Sequence, residues 1–512
     1  MGLGENGNSP LTATLLFAVL ITSFGTWFPV GFVTVAMNGP QSVIVNWLRS
    51  VQCSKFGGTF GHVFNRTNGT EIDSDLWTWC RHILEEDEPF MLSENLHLSS
   101  MWAVGAAVVN VGGLASIFVV VPLVKMLGLK RALLLISIMN IISIGIFCLA
   151  PVLHLYEIFV VGRIVIGFTG AMFMTVTPMY ISEISPVVLR GAMCTIPMLL
   201  MVTGSVTGSG LGLPEVLGNS WGWVYLMGVP ALPSMVLLVL LPFCPESPRR
   251  LFIVKQDKAA AKKALVWLRR TEEVECELEG MQYELDNRKH QHQLSVTTLF
   301  KDKLSRSSLW LAIMPTVARQ SSGNMVFAFY STSIFTGVGL SNQGANFTSL
   351  GLWALCLMGT LLSLVLVDRA GRKTLLLVGH AGIIVSLALF VTFSALTKEG
   401  YEWAKYGNVA CVFVFFAFFQ AGIASVAFVL PSELFSQEAR SAATSLVSAV
   451  GAAGSLITTL CFPLLVPILE EYTYIIFIGC LLFTGTYLAW NLPETKGRTI
   501  NEIQSILRKK LL

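Results

Sequence analysis

Residues 183–190 read EISPVVLR and residues 433–440 read ELFSQEAR, so each stretch places an Arg seven positions after a Glu. Two further motif pairs recur in the same order: PESPR at 245–249 with PETKGR at 493–498, and KMLGLKR at 125–131 with DRAGRK at 368–373. Three motifs that repeat in one order at an offset of about 250 residues indicate a duplicated unit. We therefore predict two halves of the same topology.

The composition places this duplicated unit in a membrane. Of the 512 residues, 54% are hydrophobic and 13% are charged, and the mean hydropathy is +0.67. A soluble domain has about a quarter of its residues charged, and a net charge of +3 offers no basic surface for nucleic acid. Because about 20 apolar residues cross a bilayer as a helix, we predict an all-α membrane protein with twelve spans: 11–36, 97–124, 132–153, 156–181, 192–213, 222–243, 308–337, 347–367, 374–396, 405–430, 442–467 and 472–491.

The charges between the spans predict the orientation. If both termini are cytoplasmic, most of the 34 Lys and Arg residues fall in inner segments, as the positive-inside rule expects. This topology gives an N-terminal six-helix half at 1–244, an intracellular helical linker at 245–307 and a C-terminal six-helix half at 308–512. Two parallel six-helix halves are typical of membrane transporters that rock around a substrate site between the halves.

Two segments between the spans carry signals of their own. Segment 37–96 is extracellular in this topology, so we expect N-glycosylation at Asn65 or Asn68, each of which begins a sequon. Cys53 and Cys80 share this oxidising loop and either form a disulfide or stay as two free thiols. An apolar stripe in the linker predicts an amphipathic helix that forms a platform under the inner mouth: Ala260, Ala264, Leu265 and Leu268.

The charged residues of the repeated motifs lie at the inner ends of the spans. Acid–base pairs there can bridge the two halves while the molecule faces outward, and they must break when the halves tilt apart. Each part-buried pair is worth about 1 kcal/mol, so several together shift a two-state population by about tenfold or more. We therefore predict a gating set: Glu183, Arg190, Arg249, Asp368, Arg369, Arg372, Glu433 and Arg440.

These motifs, together with Gly162-Arg163, SELFSQ at 432–437 and YSTSIF at 330–335, resemble the sugar porter branch of the major facilitator superfamily. Within that branch, the chain is most similar to animal facilitative hexose transporters, from about residue 15 to residue 505. The resemblance implies the major facilitator fold and a small-molecule substrate. It also implies that Gln320 and Tyr330 of the seventh span line the substrate site.

The sequence departs from the family at positions that contact sugar there. The family's Gln in the fifth span is Met198 here, and its Trp in the tenth span is Phe428. In the seventh span, the first Gln is Arg319, the Asn is Met325 and one Tyr is Phe329. We predict that the substrate contacts come from this altered set: Gln320, Tyr330, Asn324, Arg319, Met198, Met325, Phe329 and Phe428.

Three functions stay open at this point. The first is a facilitative uniporter of a hexose or a related small polar solute. The second is a transporter of an organic anion such as urate, because Arg319 is a cation inside the membrane, where charges are costly and usually functional. The third is a sensor that keeps the fold without transporting, although the retained gating residues argue against it.

The sequence narrows the energy source for transport and argues against a catalytic function. The sequence places no Asp or Glu in the central part of any span, so we expect passive transport without proton coupling. No His, Ser or Cys has an arranged base partner, so we expect neither an enzyme nor a bound cofactor or metal. The sequons favour the plasma membrane as the location.

Overall fold

The computed structural model describes residues 11–51, 96–288, 300, 302–435, 437–496 and 500–511, which are mostly helical, as predicted. The N-terminal half and the linker contain α1 Ala13–Val35, α2 41–51, α3 Leu96–Leu127, α4 Leu129–Leu153, α5 Tyr156–Ile184, α6 Arg190–Leu211, α7 Trp223–Phe243, α8 Pro248–Ile253, α9 Lys258–Arg269 and α10 Glu275–Arg288. The C-terminal half contains α11 Lys303–Ser321, α12 Asn324–Gly337, α13 Asn342–Ala370, α14 Arg372–Lys398, α15 Ala404–Phe418, α16 Ser425–Leu434, α17 Gln437–Leu469, α18 Thr473–Asn491 and α19 Ile500–Leu511.

The described helices account for twelve membrane crossings. Ten stretches of the described chain are long and apolar enough to span a bilayer. One of them, Ala442–Asn491, contains both α17 and α18, and the pair α11 and α12 supplies the remaining crossing. The predicted all-α, twelve-span fold is confirmed.

The seventh span, predicted as one segment at 308–337, is two helices. Gly323 separates α11 from α12 and has a φ of +84°, a backbone angle at which residues other than glycine are strained. A Cβ atom at Gly323 would also lie 2.8 Å from the Phe477 ring. Both the backbone angle and the lack of space therefore require glycine at this break.

The tenth span also departs from a regular helix. A π-helical segment, Phe419–Ala424, joins α15 to α16. A Cβ atom at Gly422 within this segment would lie 2.7 Å from the Cα atom of Gly379 in α14, so the two glycines let the backbones approach closely. π-Helical insertions are found at sharp kinks in helices.

The predicted extracellular segment 37–96 contains a helix near its start. Helix α2 buries Ile44, Val45 and Leu48 completely, and the Trp47 ring lies 5.8 Å from that of Phe159 in α5. Residues 41–51 of the predicted extracellular segment therefore form a short helix whose apolar side chains pack against the bundle. The predicted modification sites lie outside the described residues: Asn65, Asn68, Cys53 and Cys80.

The linker contains an amphipathic helix, but its apolar stripe begins one residue later than predicted. Helix α9 starts after Asp257, whose carboxylate accepts a hydrogen bond from the Ala260 backbone N–H at 2.9 Å. Ala260 is consequently half-exposed at the first turn, and the buried face is Ala261, Ala264, Leu265 and Leu268. Arg269 at the end of α9 donates to the Ile184 carbonyl at 2.9 Å and fastens the linker to α5.

Within the N-terminal half, α1 packs on α6 and α3 packs on α5. The two halves meet along α3 with α17 and along α6 with α13. Small residues allow such close packing without a hydrophobic driving force between helices: a Cβ atom at Gly31 would lie 1.8 Å from the Met201 carbonyl oxygen. Below, the linker end of the bundle is the end that carries α8–α10, and the loop end is the end that carries α2.

Candidate functional site

At the linker end, the repeated motifs build the same turn twice. Gly128 precedes α4 with φ +92° and ψ 169°, and Gly371 precedes α14 with φ +86° and ψ 150°. This combination of angles is open essentially to glycine alone. The glycine shared by KMLGLKR and DRAGRK therefore has a backbone reason, and the structure places the two turns at equivalent positions of the two halves.

Each of these turns is closed by the Glu of the second repeated motif. Glu246 accepts a hydrogen bond from the Lys130 backbone N–H at 3.2 Å, and Glu494 accepts from the backbone N–H groups of Arg372 at 2.8 Å and Lys373 at 3.1 Å. A carboxylate is favourable at a helix N-terminus because it meets unpaired N–H groups and the positive end of the helix dipole. Partial burial acts to raise the pKa of Glu494, but the backbone N–H donors outweigh it and hold that pKa below its ordinary value.

Two of the three predicted gating acids, Glu183 and Glu433, are placed alike. Glu183 accepts a hydrogen bond from the Ser247 hydroxyl, and Glu433 accepts one from the Thr495 hydroxyl at 2.5 Å. In the C-terminal half, Arg372 adds an ion pair with Glu433 at 2.9 Å. Glu183 is thereby joined to the linker, and Glu433 is joined to residues of its own half, so these described contacts do not bridge the halves.

The other predicted gating residues are distributed around the same end. Arg249 forms an ion pair with Glu284 of the linker helix α10. Arg190 is exposed, and its Nε donates to the Ser182 carbonyl at 3.0 Å. Three side chains of the set lie outside the part of the chain whose side chains the structure describes: Asp368, Arg369 and Arg440.

At the loop end, hydrogen bonds do cross between the halves. Asn38, which follows α1, donates through Nδ2 to the Ala328 carbonyl at 2.7 Å and to the Ser331 hydroxyl at 3.0 Å. The Ser333 hydroxyl donates to Oε1 of Gln41 at 2.5 Å. All of these side chains are buried. We name Asn38, Gln41, Ala328, Ser331 and Ser333 the loop-end seam.

One exposed contact extends the loop-end seam at its surface. Nε2 of Gln343 donates to Oε1 of Glu215 at 3.1 Å and links α13 with the segment after α6. The sequence predictions did not include the seam. Its available signal was the Asn38-Gly-Pro-Gln41 turn, in which two amides directly follow an apolar span.

In the middle of the bundle, α11 carries the predicted residues Arg319 and Gln320, which face Gly451 of α17. Nε2 of Gln320 donates to the Gly451 carbonyl at 2.8 Å, while its Oε1 is buried and has no hydrogen-bond partner. Arg319 is half-buried, and its Nη2 lies 3.9 Å from the position of a Cβ atom on Gly451. A Cβ atom at Gly451 would lie 3.2 Å from Cγ2 of Thr316, so glycine at this position lets α17 pack closely against α11.

The predicted residues of α12 fall into two groups. Asn324 is buried at the start of α12, and its Oδ1 has no hydrogen-bond partner. Tyr330 is fully buried, and its hydroxyl donates to the Thr459 carbonyl at 3.1 Å. The backbone of Tyr330 is non-helical, with φ −129° and ψ 16°, so α12 bends there. In this conformation Tyr330 joins α12 to α17 rather than presenting its hydroxyl to a solute.

The apolar members of the predicted set differ in burial. Met198 in α6 and Met325 in α12 are half-buried, whereas Phe329 is buried. The side chain of Phe428 lies outside the described part of the chain. In the tenth span, Nε2 of Gln420 donates to the Thr360 hydroxyl of α13 at 2.8 Å, which ties the π-helical segment to the eighth span.

Comparison with known families decides the class of protein. A family model described as "Sugar (and other) transporter" matches residues 18–507. The chain belongs to the sugar transporter family. It is 31% identical over 504 residues to solute carrier family 2, facilitated glucose transporter member 2, of Rattus norvegicus, covering 98% of this chain and 95% of that relative. It is 30% identical over 499 residues to member 5 of Equus caballus, covering 98% and 93%.

Solved structures of sugar transporters have the same fold. The inward-open xylose transporter XylE from E. coli superposes with a TM-score of 0.73 at 18% identity, covering 96% of this chain and 99% of that one. The proton:xylose symporter XylE bound to 6-bromo-6-deoxy-D-glucose gives a TM-score of 0.71 at 19% identity, covering 97% and 99%. This sugar transporter family member is therefore a multi-pass membrane protein with the major facilitator fold, and its family consists of transporters.

Proposed function

We propose that the protein is a facilitative uniporter that moves a hexose or a related small polar solute by alternating access. The observation that carries the proposal is the difference between the two ends of the bundle. At the loop end, Asn38 and Gln41 hydrogen-bond across the halves, whereas at the linker end the described contacts of Glu183 and Glu433 do not cross from one half to the other. Among the described residues, these contacts between the halves close the loop end, and a molecule closed at that end is one of the two states that alternating access requires.

The relatives support the facilitative part of the proposal. The similar mammalian proteins are named as facilitated glucose transporters. Proton coupling needs a titratable acid inside the membrane, and the sequence places no Asp or Glu in the central part of a span. The solute therefore moves down its own concentration gradient.

The predicted residues take different roles in this cycle. Gln320 and Asn324 contact the solute from the two sides of the Gly323 break, with Met198 and Met325 as apolar walls. Tyr330, Phe329 and Phe428 belong to the segments that move. When the loop-end seam opens, the linker end closes, and the gating set then bridges the halves: Glu183, Arg190, Arg249, Asp368, Arg369, Arg372, Glu433 and Arg440.

We further propose that the linker end and both termini are cytoplasmic and that the protein resides in the plasma membrane. The excess of Lys and Arg at 249–306 supports this orientation. Asn65 and Asn68 are then extracellular and open to glycosylation.

Uptake into proteoliposomes tests the proposed function. The purified full-length chain is reconstituted, and the entry of labelled D-glucose and labelled D-glucuronate is followed with and without a pH gradient. The proposal expects saturable entry of at least one solute that stops at equal concentrations inside and outside and does not respond to the pH gradient. Accumulation against the concentration gradient, or entry no faster than in protein-free vesicles, would overturn it.

A sensor with the same fold gives a different result. Such a protein would bind a solute, seen as a higher melting temperature in detergent, but would show no entry above protein-free vesicles. Binding and entry measured on one preparation therefore separate the transporter from the sensor.

A further inference from the structure

We infer that a groove between α14 and α15 binds a sterol from the surrounding membrane. The cavity in this groove has a volume of about 630 Å³ and is lined almost entirely by apolar side chains. In a chain that spans a membrane, the exposed members of this lining face lipid rather than water: Val378, Ala381, Val385, Leu389, Ala410 and Val414. The inference is separate from the transported solute and from the central site.

The walls of the groove suit a flat, rigid molecule. The Phe418 ring lies over Gly382, where a Cβ atom would come within 2.2 Å of it, and the Phe393 ring lies over Gly407, where a Cβ atom would come within 2.9 Å. Each aromatic wall is therefore seated on the backbone of the neighbouring helix. A fused-ring ligand loses little conformational entropy on binding to such walls, whereas an acyl chain loses rotational freedom along its whole length.

The length of the groove matches one leaflet of a bilayer. Its lining on α15 runs from Gly407 to Phe418, which is about 16 Å at the rise of an α-helix. The apolar span begins at Ala404, one turn before Gly407. The groove therefore starts near the loop-end surface of the membrane and reaches about half of the 30 Å hydrocarbon core. A sterol occupies the same depth, with its rings and tail in the hydrocarbon and its hydroxyl at the surface.

The mouth of the groove offers a partner for that hydroxyl. Trp403 directly precedes α15, is exposed, and has its ring 6.0 Å from that of Phe393 in an edge-on arrangement. Tryptophan at a membrane surface combines an apolar ring with an N–H donor. The same turn fits a sequence pattern proposed for cholesterol contact, a pattern that is weak by itself and here coincides with a groove: Leu396, Tyr401 and Lys405.

The charges around the mouth favour an uncharged ligand. Lys398, at the end of α14, forms ion pairs with Glu470 and Glu471 between α17 and α18. The turn that follows adds two exposed acids and one base: Glu399, Glu402 and Lys405. Acids thus outnumber bases here, so the mouth repels the carboxylate of a fatty acid or the phosphate of an anionic phospholipid. A sterol hydroxyl carries no charge and meets no such repulsion.

Photolabelling locates the ligand. The purified full-length chain in detergent micelles is illuminated with a cholesterol analogue that carries a diazirine on its ring system, and the labelled residues are identified by mass spectrometry. We expect labels on the groove lining of α14 and α15, and we expect excess cholesterol to remove them. Labels only outside the groove, or labels that phosphatidylcholine removes as well as cholesterol does, would overturn the inference.

Substitutions that fill the groove test the assignment from both helices. Ala410→Phe and Ala381→Phe place a ring in the groove, and the resulting overpacking should weaken cholesterol binding by about tenfold or more. Ala417→Phe and Ala388→Phe are the matched controls, because they make the same change at exposed positions of α15 and α14 outside the groove lining, and they should leave binding unchanged. Equal binding by the groove variants and the controls would overturn the inference.

Trp403→Phe tests the polar contact. The variant keeps an aromatic ring beside Phe393 but lacks the N–H donor, so cholesterol binding should weaken by about 2- to 10-fold, the usual effect of losing one hydrogen bond between neutral groups. Binding of 5-cholestene, which has no hydroxyl, should not change. Equal weakening of both ligands would overturn the assignment of the hydroxyl to Trp403.

A second copy of the chain is the alternative occupant of the groove. It would appear as a dimer in detergent by light scattering, and Ala410→Phe would convert that dimer to a monomer while Ala417→Phe would not. Such a dimer, together with a groove that the cholesterol analogue does not label, would overturn the inference. A labelled groove and an oligomeric state that Ala410→Phe leaves unchanged would support it.

Discussion

The loop-end seam makes a quantitative prediction about the balance between the two states of the transporter. Asn38 is buried, with 2% of its surface exposed, and its amide donates to the Ala328 carbonyl at 2.7 Å and to the Ser331 hydroxyl at 3.0 Å. Opening the loop end breaks both hydrogen bonds across the halves. Asn38→Ala removes them from the closed state and changes little in the open state, so it favours opening.

The size of the effect follows from those two hydrogen bonds. Each contributes a net stabilisation of about 0.5–1.5 kcal/mol to the closed state. Their joint loss of about 1–3 kcal/mol changes the ratio of open to closed molecules by about 5- to 150-fold. Such a change is large enough to appear in a distribution of distances.

Spin labels on Glu215→Cys and Gln343→Cys report the opening, because these side chains face each other across the surface of the seam at 3.1 Å. Pulsed electron–electron double resonance should show one short distance between the labels in the doubly labelled protein with Asn38. In the same protein with Asn38→Ala, it should also show a populated longer distance. Asn46→Ala is the matched control, since Asn46 accepts a hydrogen bond from Arg49 within the same helix. Identical distributions in Asn38→Ala and the parent would refute the reasoning.

Three further predictions concern positions away from the loop-end seam, and each is checked by thermal unfolding. Gly371→Ala should destabilise the protein by about 1–3 kcal/mol because its φ of +86° is strained for alanine, whereas Gly191→Ala, where an added Cβ meets no atom within 4 Å, should not. Glu494→Gln should lower the melting temperature at pH 7, and the difference should shrink as the pH falls below 4.5, since a carboxyl with a depressed pKa stabilises only while it is ionised. Gln420→Ala should destabilise by about 1 kcal/mol through loss of the hydrogen bond to Thr360.

The repeated motifs were the most predictive part of the sequence, and the structure explains why. Glycine at 128 and 371 is required by the backbone angles, and glutamate at 246 and 494 caps the helix that follows each turn. Such local requirements depend on few neighbours, so they leave a readable pattern. The number and positions of the spans were predictable for a similar reason, because hydrocarbon requires long apolar helices wherever the chain crosses it.

The features that the sequence did not predict depend on neighbours distant along the chain. In the sequence, Gly323 is one of many glycines within the spans. Its role at the helix break becomes clear only from the structure, in which the Phe477 ring packs against it. Tyr330 matches the family motif, yet its hydroxyl is taken by the Thr459 carbonyl. Helical periodicity locates an apolar stripe only to within about one residue. The sequence therefore predicted Ala260 on the buried face, where the structure buries Ala261.

Alternating access is tested most directly by asking whether the halves must separate at the loop end during each transport cycle. The double variant Glu215→Cys/Gln343→Cys, cross-linked with a short bis-maleimide, fixes the two halves together where these side chains meet. Alternating access predicts that cross-linking stops D-glucose and D-glucuronate entry into proteoliposomes, while each variant with only one of the two substitutions keeps its entry rate after treatment with the same reagent. Undiminished entry through the fully cross-linked protein would contradict alternating access.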